Sequence, residues 1–361
     1  MKKTLMLMLA VSWMCACAQV ARPAGQWAVG SRTWVAAHEP EVLDVLADAP
    51  GTVRKLPVKA YFPVDGKAGE LSDNTTYTPA GNPVLVFVHG TGSELDAHSY
   101  LAEELASRGW VVLTAAHPGL ARTADYPKDP SRGPSKKLQE LLAKSAFGDP
   151  FVRDAVELLE SDVRLMVRSA AAELPGLSLD RISYGGHSMG AVVTMGLCRE
   201  PESNCAAFVN LDGPPLADLA DAGEGSSRIE PRPVTKPMLI VTSELMTTGE
   251  KTKDLWASID AQARLGDAPM LSARLLKAGH LDLSDAPMDM GHVLIGLLFG
   301  EGAAGSIDPV RAVDSTKAVV ARFLERYGHC DARADVLQEV RAWPELEVRD
   351  ARRLDEPPTC P

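Results

Sequence analysis

The chain has 361 residues, of which 45% are hydrophobic, 24% charged and 5% aromatic. That is globular composition with length enough for a full-sized core, and it excludes disordered, collagen-like and coiled-coil chains. With 37 Lys and Arg against 48 Asp and Glu, the net charge is −11. A surface of that sign repels phosphate backbones and anionic lipid, so no nucleic-acid partner is expected.

Residues 1–18 read as an export signal. Met1-Lys2-Lys3 is a positive start, Thr4 to Met14 an apolar run too short to span a bilayer, and Ala16-Cys17-Ala18 an A-x-A cleavage pattern. The alternative is a lipoprotein signal acylated at Cys17, which is the one basis for membrane contact. The mature chain, 19–361, is expected outside the cytoplasm, secreted, periplasmic or lipid-anchored, as a single domain.

Strands and helices then alternate. Arg54–Pro63 has the period of an edge strand. Pro83–Val88 is a valine-rich run suited to a strand buried on both faces. Ser99–Arg108 has helical spacing and stops at Gly109. Trp110–Thr114 is the next strand. The polar stretch 121–150 is a cap over a pocket or a long loop. Asp154–Ala172 is a long amphipathic helix. Arg181–Tyr184 is a strand, then come a Gly-rich turn and the helical stretch Ala191–Cys198. Ala206–Leu211, Met238–Ser243 and Leu271–Leu276 are strands. Ala217–Pro233 is irregular. Val293–Phe299, the longest late apolar run, is too short for a membrane span and reads as a short buried segment. Arg311–Tyr327 is a helix. This βαβα order predicts an α/β fold with a mostly parallel central sheet flanked by helices.

Four cysteines follow the signal. An even number in an exported chain favours disulfides, with Cys198–Cys205 across a short turn and Cys330–Cys360 tying down a Pro-rich tail; buried free thiols are the alternative.

Three strand ends carry the chemistry. Gly186-His187-Ser188-Met189-Gly190 lies between a strand and a helix of small residues, the context of a nucleophile elbow with Ser188 at its tip. His187 should then point into the fold. His89-Gly90-Thr91-Gly92 follows the valine-rich strand. Backbone N–H groups there, from Thr91 or Gly92, would join that of Met189 in stabilising an oxyanion, while His89 fixes the loop. Ala278-Gly279-His280 follows a later strand and supplies the base that a serine hydroxyl needs. His117, after a strand, is a candidate pocket wall. The acid that orients His280 is Asp212, in NLDGPP, with Glu244 and Asp254 as rivals after the next strand. Asp282 is too near His280 in sequence for that task. No zinc spacing, P-loop or dinucleotide fingerprint is present, so no metal or cofactor is expected.

These motifs resemble the α/β-hydrolase superfamily, and within it the platelet-activating-factor acetylhydrolase family and the neighbouring dienelactone-hydrolase and cutinase-like esterases. The resemblance runs over roughly residues 50–328, through KLPVKAYFP, VFVHGTGSELDAHSYLAEELASRGWVV, ISYGGHSMGA, NLDGPP, PMLIVTSE and AGHLDLSD. It implies an acid after the strand that follows the nucleophile helix, hence Asp212, and oxyanion donors at Thr91 and Met189. Thr91 stands where that family often has Leu, and 246–270 is longer than in the family, so phospholipid specificity does not carry over. The expectation is a secreted serine ester hydrolase acting through an acyl-enzyme on short-acyl small-molecule or lipid esters. A cutinase-like polyesterase or lipase is the alternative, and a catalytically inactive surface-binding lipoprotein the alternative of another class. Nothing in the sequence sets the oligomeric state.

Overall fold

The computed structural model describes residues 20–39, 42, 44–46, 53–122, 133–143, 149–200, 203–214, 235–250, 253, 266–300 and 302–358. The expected export signal with Cys17, Asp254, Cys360, the irregular stretch at 217–233 and much of the polar stretch at 121–150 lie outside these residues.

Valine-rich runs build the middle of the molecule. In β4 (Val84–Val88) every residue is buried, with Val84, Val86 and Val88 facing one apolar cluster and Leu85 and Phe87 the other. A strand apolar on both faces suits the interior of a parallel sheet covered on both sides. Beside it lie β5 (Val111–Ala115) and β6 (Ile182–His187), followed outward by β7 (Cys205–Leu211), β8 (Met238–Ser243) and β9 (Met270–Leu275), all parallel. Three more strands extend the sheet past β5: β1 (Ala28–Ala37), β2 (Lys55–Val64) and β3 (Leu71–Ser72). With β10 (Leu346–Arg352), the ten-stranded order is β10-β9-β8-β7-β6-β4-β5-β2-β1-β3.

The segment expected as an edge strand is internal. β2 pairs antiparallel with β1 on one side and β5 on the other, and most of its side chains are buried. Its alternation reads as an edge because its neighbour β1 carries no continuous apolar run. The C-terminal edge is β10, antiparallel to β9; LEVRDAR keeps most of its charged side chains in or near solvent and so shows no hydrophobic pattern.

Helices cover both faces. Against one cluster pack α2 (Lys136–Ala143), α3 (Pro150–Glu173) and α4 (Met189–Arg199); against the other pack α1 (Ser99–Ser107), α8 (Pro309–Tyr327) and α9 (Val336–Arg341). Between them in sequence fall the short helices α5 (Glu244–Thr248), α6 (Ala286–Met290) and α7 (His292–Phe299). Both long helices start with the same device, an Asp cap before Pro: Asp149 accepts from the Phe151 N–H and Asp308 from the Arg311 N–H. Within the polar stretch at 121–150, α2 buries Leu138 in the core beside α3. A disulfide joins Cys198 at the end of α4 to Cys205 at the start of β7. Cys330 is also disulfide-bonded.

One charged cluster lies wholly inside. Arg54, before β2, donates from Nε and Nη2 to the two carboxylate oxygens of Asp162 on α3 at 2.8 and 2.6 Å, and also to Asp44 and the Pro118 carbonyl. Arg54 and Asp162 side chains have no solvent exposure. His38 and His117 complete the shell around Asp162 at 2.8 and 3.0 Å. Burial alone would raise the Asp162 carboxyl; the Arg54 guanidinium and these hydrogen bonds outweigh it and hold the group well below the usual carboxylate range. Removing one partner of such a pair strands the other charge. Arg54→Met should therefore cost about 3–5 kcal/mol in urea unfolding, with the double variant Arg54→Met/Asp162→Leu more stable than the single one. A loss below about 1 kcal/mol would show that the pair is not what fixes these elements.

Candidate active site

The sharpest backbone feature is at the end of β6. The strand continues through Gly185, Gly186 and His187, which pair with β7, so the turn into α4 must be made in a single residue. That residue is Ser188, at φ +54° and ψ −126°. Such a conformation costs a non-glycine residue about 1–3 kcal/mol and clusters at functional sites. It is possible because strand and helix touch backbone to backbone. A Cβ at Gly186 would come within 2.3 Å of the Gly190 backbone, and one at Gly190 within 2.0 Å of the Val88 carbonyl oxygen. As the first residue of α4, Met189 presents its N–H in the turn whose N–H groups have no intrahelical acceptor.

The loop after β4 lies over this turn. A Cβ at Gly90 would come within 2.9 Å of the Ser188 Cβ. The Gly90 carbonyl accepts from His89 Nδ1–H at 2.8 Å and from the Ser93 N–H at 3.2 Å. In a trans peptide the next N–H points the opposite way, so these two bonds set the direction of the Thr91 N–H. His89 is pinned from behind by the His117 N–H, which donates to its Nε2 at 3.4 Å. His117 is fully buried against Asp162 rather than in a pocket wall, because the buried carboxylate claims its Nδ1.

Asp212 and His280 meet from strand ends far apart in sequence. Asp212 follows β7 at φ +52° and is completely buried. Its Oδ2 accepts from His280 Nδ1–H at 2.8 Å and from the Ser243 hydroxyl at 2.7 Å, and its Oδ1 from the Ser243 N–H at 3.0 Å. Asn210 locks the turn by bonding both backbone polar groups of Gly213. With Nδ1 engaged, His280 Nε2 lies on the far side of a ring that lines a cavity of about 370 Å³. Thr91 and Gly92 line the same cavity.

The rival acids lie elsewhere or outside view. Glu244 accepts from the Lys277 N–H at 2.6 Å, which braces the segment leading to His280. Asp282 accepts from the Gly279 and Gly305 N–H groups, both at 2.7 Å, and pairs with His292. Ser243, the second partner of Asp212, was not anticipated. Its signal was the register between β7 and β8, which no motif records.

The cavity is lined by apolar side chains, among them Met246, Met290 and Phe299, and by polar ones, among them Asp289 and an Arg122–Glu94 ion pair. Phe299 ends α7, the helix expected to be a short buried segment. Only Ile295 of α7 is buried; Val293 and Leu297 are 81% and 78% exposed, with Leu294, Leu298 and Phe299 also exposed. The run is apolar on all sides, so a helix at the surface can hide only one of its faces.

Among solved structures, the chain is similar to a ferulic acid esterase from Streptomyces cinnamoneus. The two superpose with a TM-score of 0.69 at 20% identity, covering 92% of this chain and 99% of that one. A family model described as serine aminopeptidase, S33, matches residues 80–248, a span that holds Ser188 and Asp212 but not His280.

Three buried histidines surround the site, and none is charged at neutral pH. Burial, reinforced by neighbouring histidines, lowers His89 to about 3 and His187 well below its ordinary value; burial also lowers His98 to about 3. In the unfolded chain each titrates near about 6.5. Between those values the unfolded state binds the extra proton, so stability is complete above about pH 6.5 and falls as the pH drops toward 3. Each ring should cost about 2 kcal/mol between pH 6.5 and 5. Melting temperature should fall steadily over that interval, and less steeply in His98→Phe; a flat profile would mean that the rings become charged without loss.

The parallel sheet and the superposition together give the chain the α/β-hydrolase fold, with Ser188 at the single-residue turn between strand and helix.

Proposed function

We propose that the protein is a carboxylic-ester hydrolase in which Ser188, His280 and Asp212 form the catalytic triad. The observation that carries this is the hydrogen bond from His280 Nδ1 to a buried, doubly braced Asp212, on a ring that shares a cavity with the Thr91 loop over Ser188. Ser188 Oγ attacks the ester carbonyl while His280 Nε2 takes its proton, and Asp212 steadies the imidazolium that results. The tetrahedral oxyanion is held by the Thr91 and Met189 N–H groups. His280 returns the proton to the leaving alkoxide, which departs as alcohol. Water, deprotonated by His280, then attacks the acyl-enzyme; the acid is released and the serine proton restored.

The likeness to an esterase structure supports ester over amide chemistry. A cavity of about 370 Å³ with Met and Phe in its lining fits short acyl groups, in keeping with the resemblance to acetylhydrolases. The disulfide between Cys198 and Cys205 supports export to an oxidising compartment.

Hydrolysis of p-nitrophenyl acetate should fall by about 10⁴ in Asp212→Asn, and at least as far in Ser188→Ala, while Glu244→Gln stays near wild type. A fluorophosphonate should add one mass label to the wild type and none to Ser188→Ala. Labelling that persists in Ser188→Ala would assign the nucleophile elsewhere, and a larger loss in Glu244→Gln than in Asp212→Asn would move the acid.

A second reading, a lipase or polyesterase acting on water-insoluble esters, is favoured by α7, whose exposed apolar side chains continue the cavity wall at Phe299. If it is right, Val293→Asp/Leu297→Asp should lower the rate on emulsified esters at least tenfold and leave the rate on dissolved p-nitrophenyl acetate unchanged. Equal rates on both substrates would leave the small soluble ester as the substrate class.

A further inference from the structure

The turn that carries His280 is a single 3-10 turn, His280–Leu283, and it is held on two sides by different chemistry. On one side the bonds are main chain. The His280 N–H donates to the Gly302 carbonyl at 2.9 Å and the Leu281 N–H to the Ala303 carbonyl at 2.8 Å. On the other side stand two imidazoles. His187, the last residue of β6, is 1% exposed, and its Nε2–H donates to the His280 carbonyl at 2.9 Å. His98, just before α1, is buried and packs its ring against that of His187. The three rings form a ladder, with centroids 5.3 Å apart between His98 and His187 and 4.7 Å between His187 and His280. Phe87 closes its inner end, 4.8 Å from His98.

We propose that His187 is a positioning residue that clamps the first residue of the His280 turn, with His98 packed behind its ring, so that the imidazole meets Asp212 in one orientation. The inference rests on His280 being the base. His187 suits the task because it is covalently next to Ser188. The same ring that holds the His280 backbone is rooted in the nucleophile turn, so base and nucleophile share one anchor. A donor to a carbonyl from Nε2 must carry its proton there, and Nδ1, with no hydrogen-bond partner, is the bare nitrogen of that tautomer. Gly90 keeps the space beside it open: a Cβ there would come within 3.2 Å of Nδ1. The clamp must also stay neutral. During acyl transfer His280 becomes an imidazolium, and a charged ring 4.7 Å away would oppose it. Burial keeps the clamping ring, and the His98 ring packed against it, uncharged.

Two substitutions separate the hydrogen bond from the ring. His187→Phe keeps a flat ring without a donor; His187→Gln gives up the ring but can place an N–H near the old Nε2. With p-nitrophenyl acetate, His187→Phe should lower kcat at least tenfold with KM within twofold of wild type. Fluorophosphonate labelling of Ser188 should slow by a similar factor. His187→Gln should recover most of both. His187→Leu, which likewise lacks a donor, should show the same split, and it carries the test if His187→Phe does not fold. Unchanged kcat in these variants, or equal losses in His187→Phe and His187→Gln that track melting temperature, would overturn the clamp. Full activity in His280→Ala would instead overturn the reading of His280 as the base, and the clamp with it.

Discussion

Everything at this site depends on how closely β6 and α4 approach each other. The chain reverses from strand to helix in one residue, and it can do so only because Gly186 lets the two backbones touch and Gly190 lets α4 sit against the end of β4. The strain at Ser188 is local, but the packing that sustains it is not: β6 lies between β4 and β7, buried on both faces. A turn this tight leaves no freedom for the Ser188 side chain to retreat into the fold. It also fixes the N-terminus of α4 beside the serine, where backbone N–H groups await an acceptor.

Around that turn the protein uses neutral histidines as rigid hydrogen-bonding struts. His89 sets the direction of the Gly90–Thr91 peptide, and His187 braces the turn of His280. Imidazole suits this use because it is flat, packs like a small aromatic ring, and offers one donor and one acceptor at fixed angles. Behind His89 the support continues through His117 to the Arg54–Asp162 pair, which ties β2, β5 and α3 together. The charged pair lies in the core behind His117, and the buried rings of His89 and His187 are uncharged.

Much of this was legible before any coordinates. Strands from β4 to β9 announce themselves as short apolar runs, and the Gly-His-Ser-Met-Gly turn is unambiguous once a strand precedes it and a helix follows. What stayed hidden is what depends on pairing or on surroundings. β1 and β10 carry their order in hydrogen bonds to neighbours, so β2 looked like an edge. Ser243 reaches Asp212 only through the register of β7 and β8. His98, His117 and His187 are ordinary letters in the sequence; burial and tautomer give them their tasks. The apolar run at α7 misled for a physical reason: hydrophobicity reports what would gain from burial, and a helix on the rim of a cavity has nothing in the described fold to bury most of its surface against.

The central claim is that Ser188 Oγ, His280 and the N–H groups of Thr91 and Met189 converge on one reacting carbon. The most direct test is a crystal structure of the mature protein inactivated by a small alkyl phosphonate, whose phosphoryl oxygen mimics the oxyanion. The account predicts phosphorus bonded to Ser188 Oγ, with the phosphoryl oxygen within hydrogen-bonding distance of both N–H groups and His280 Nε2 facing the serine oxygen. A phosphoryl oxygen turned away from both N–H groups, or an adduct on any other residue, would contradict it.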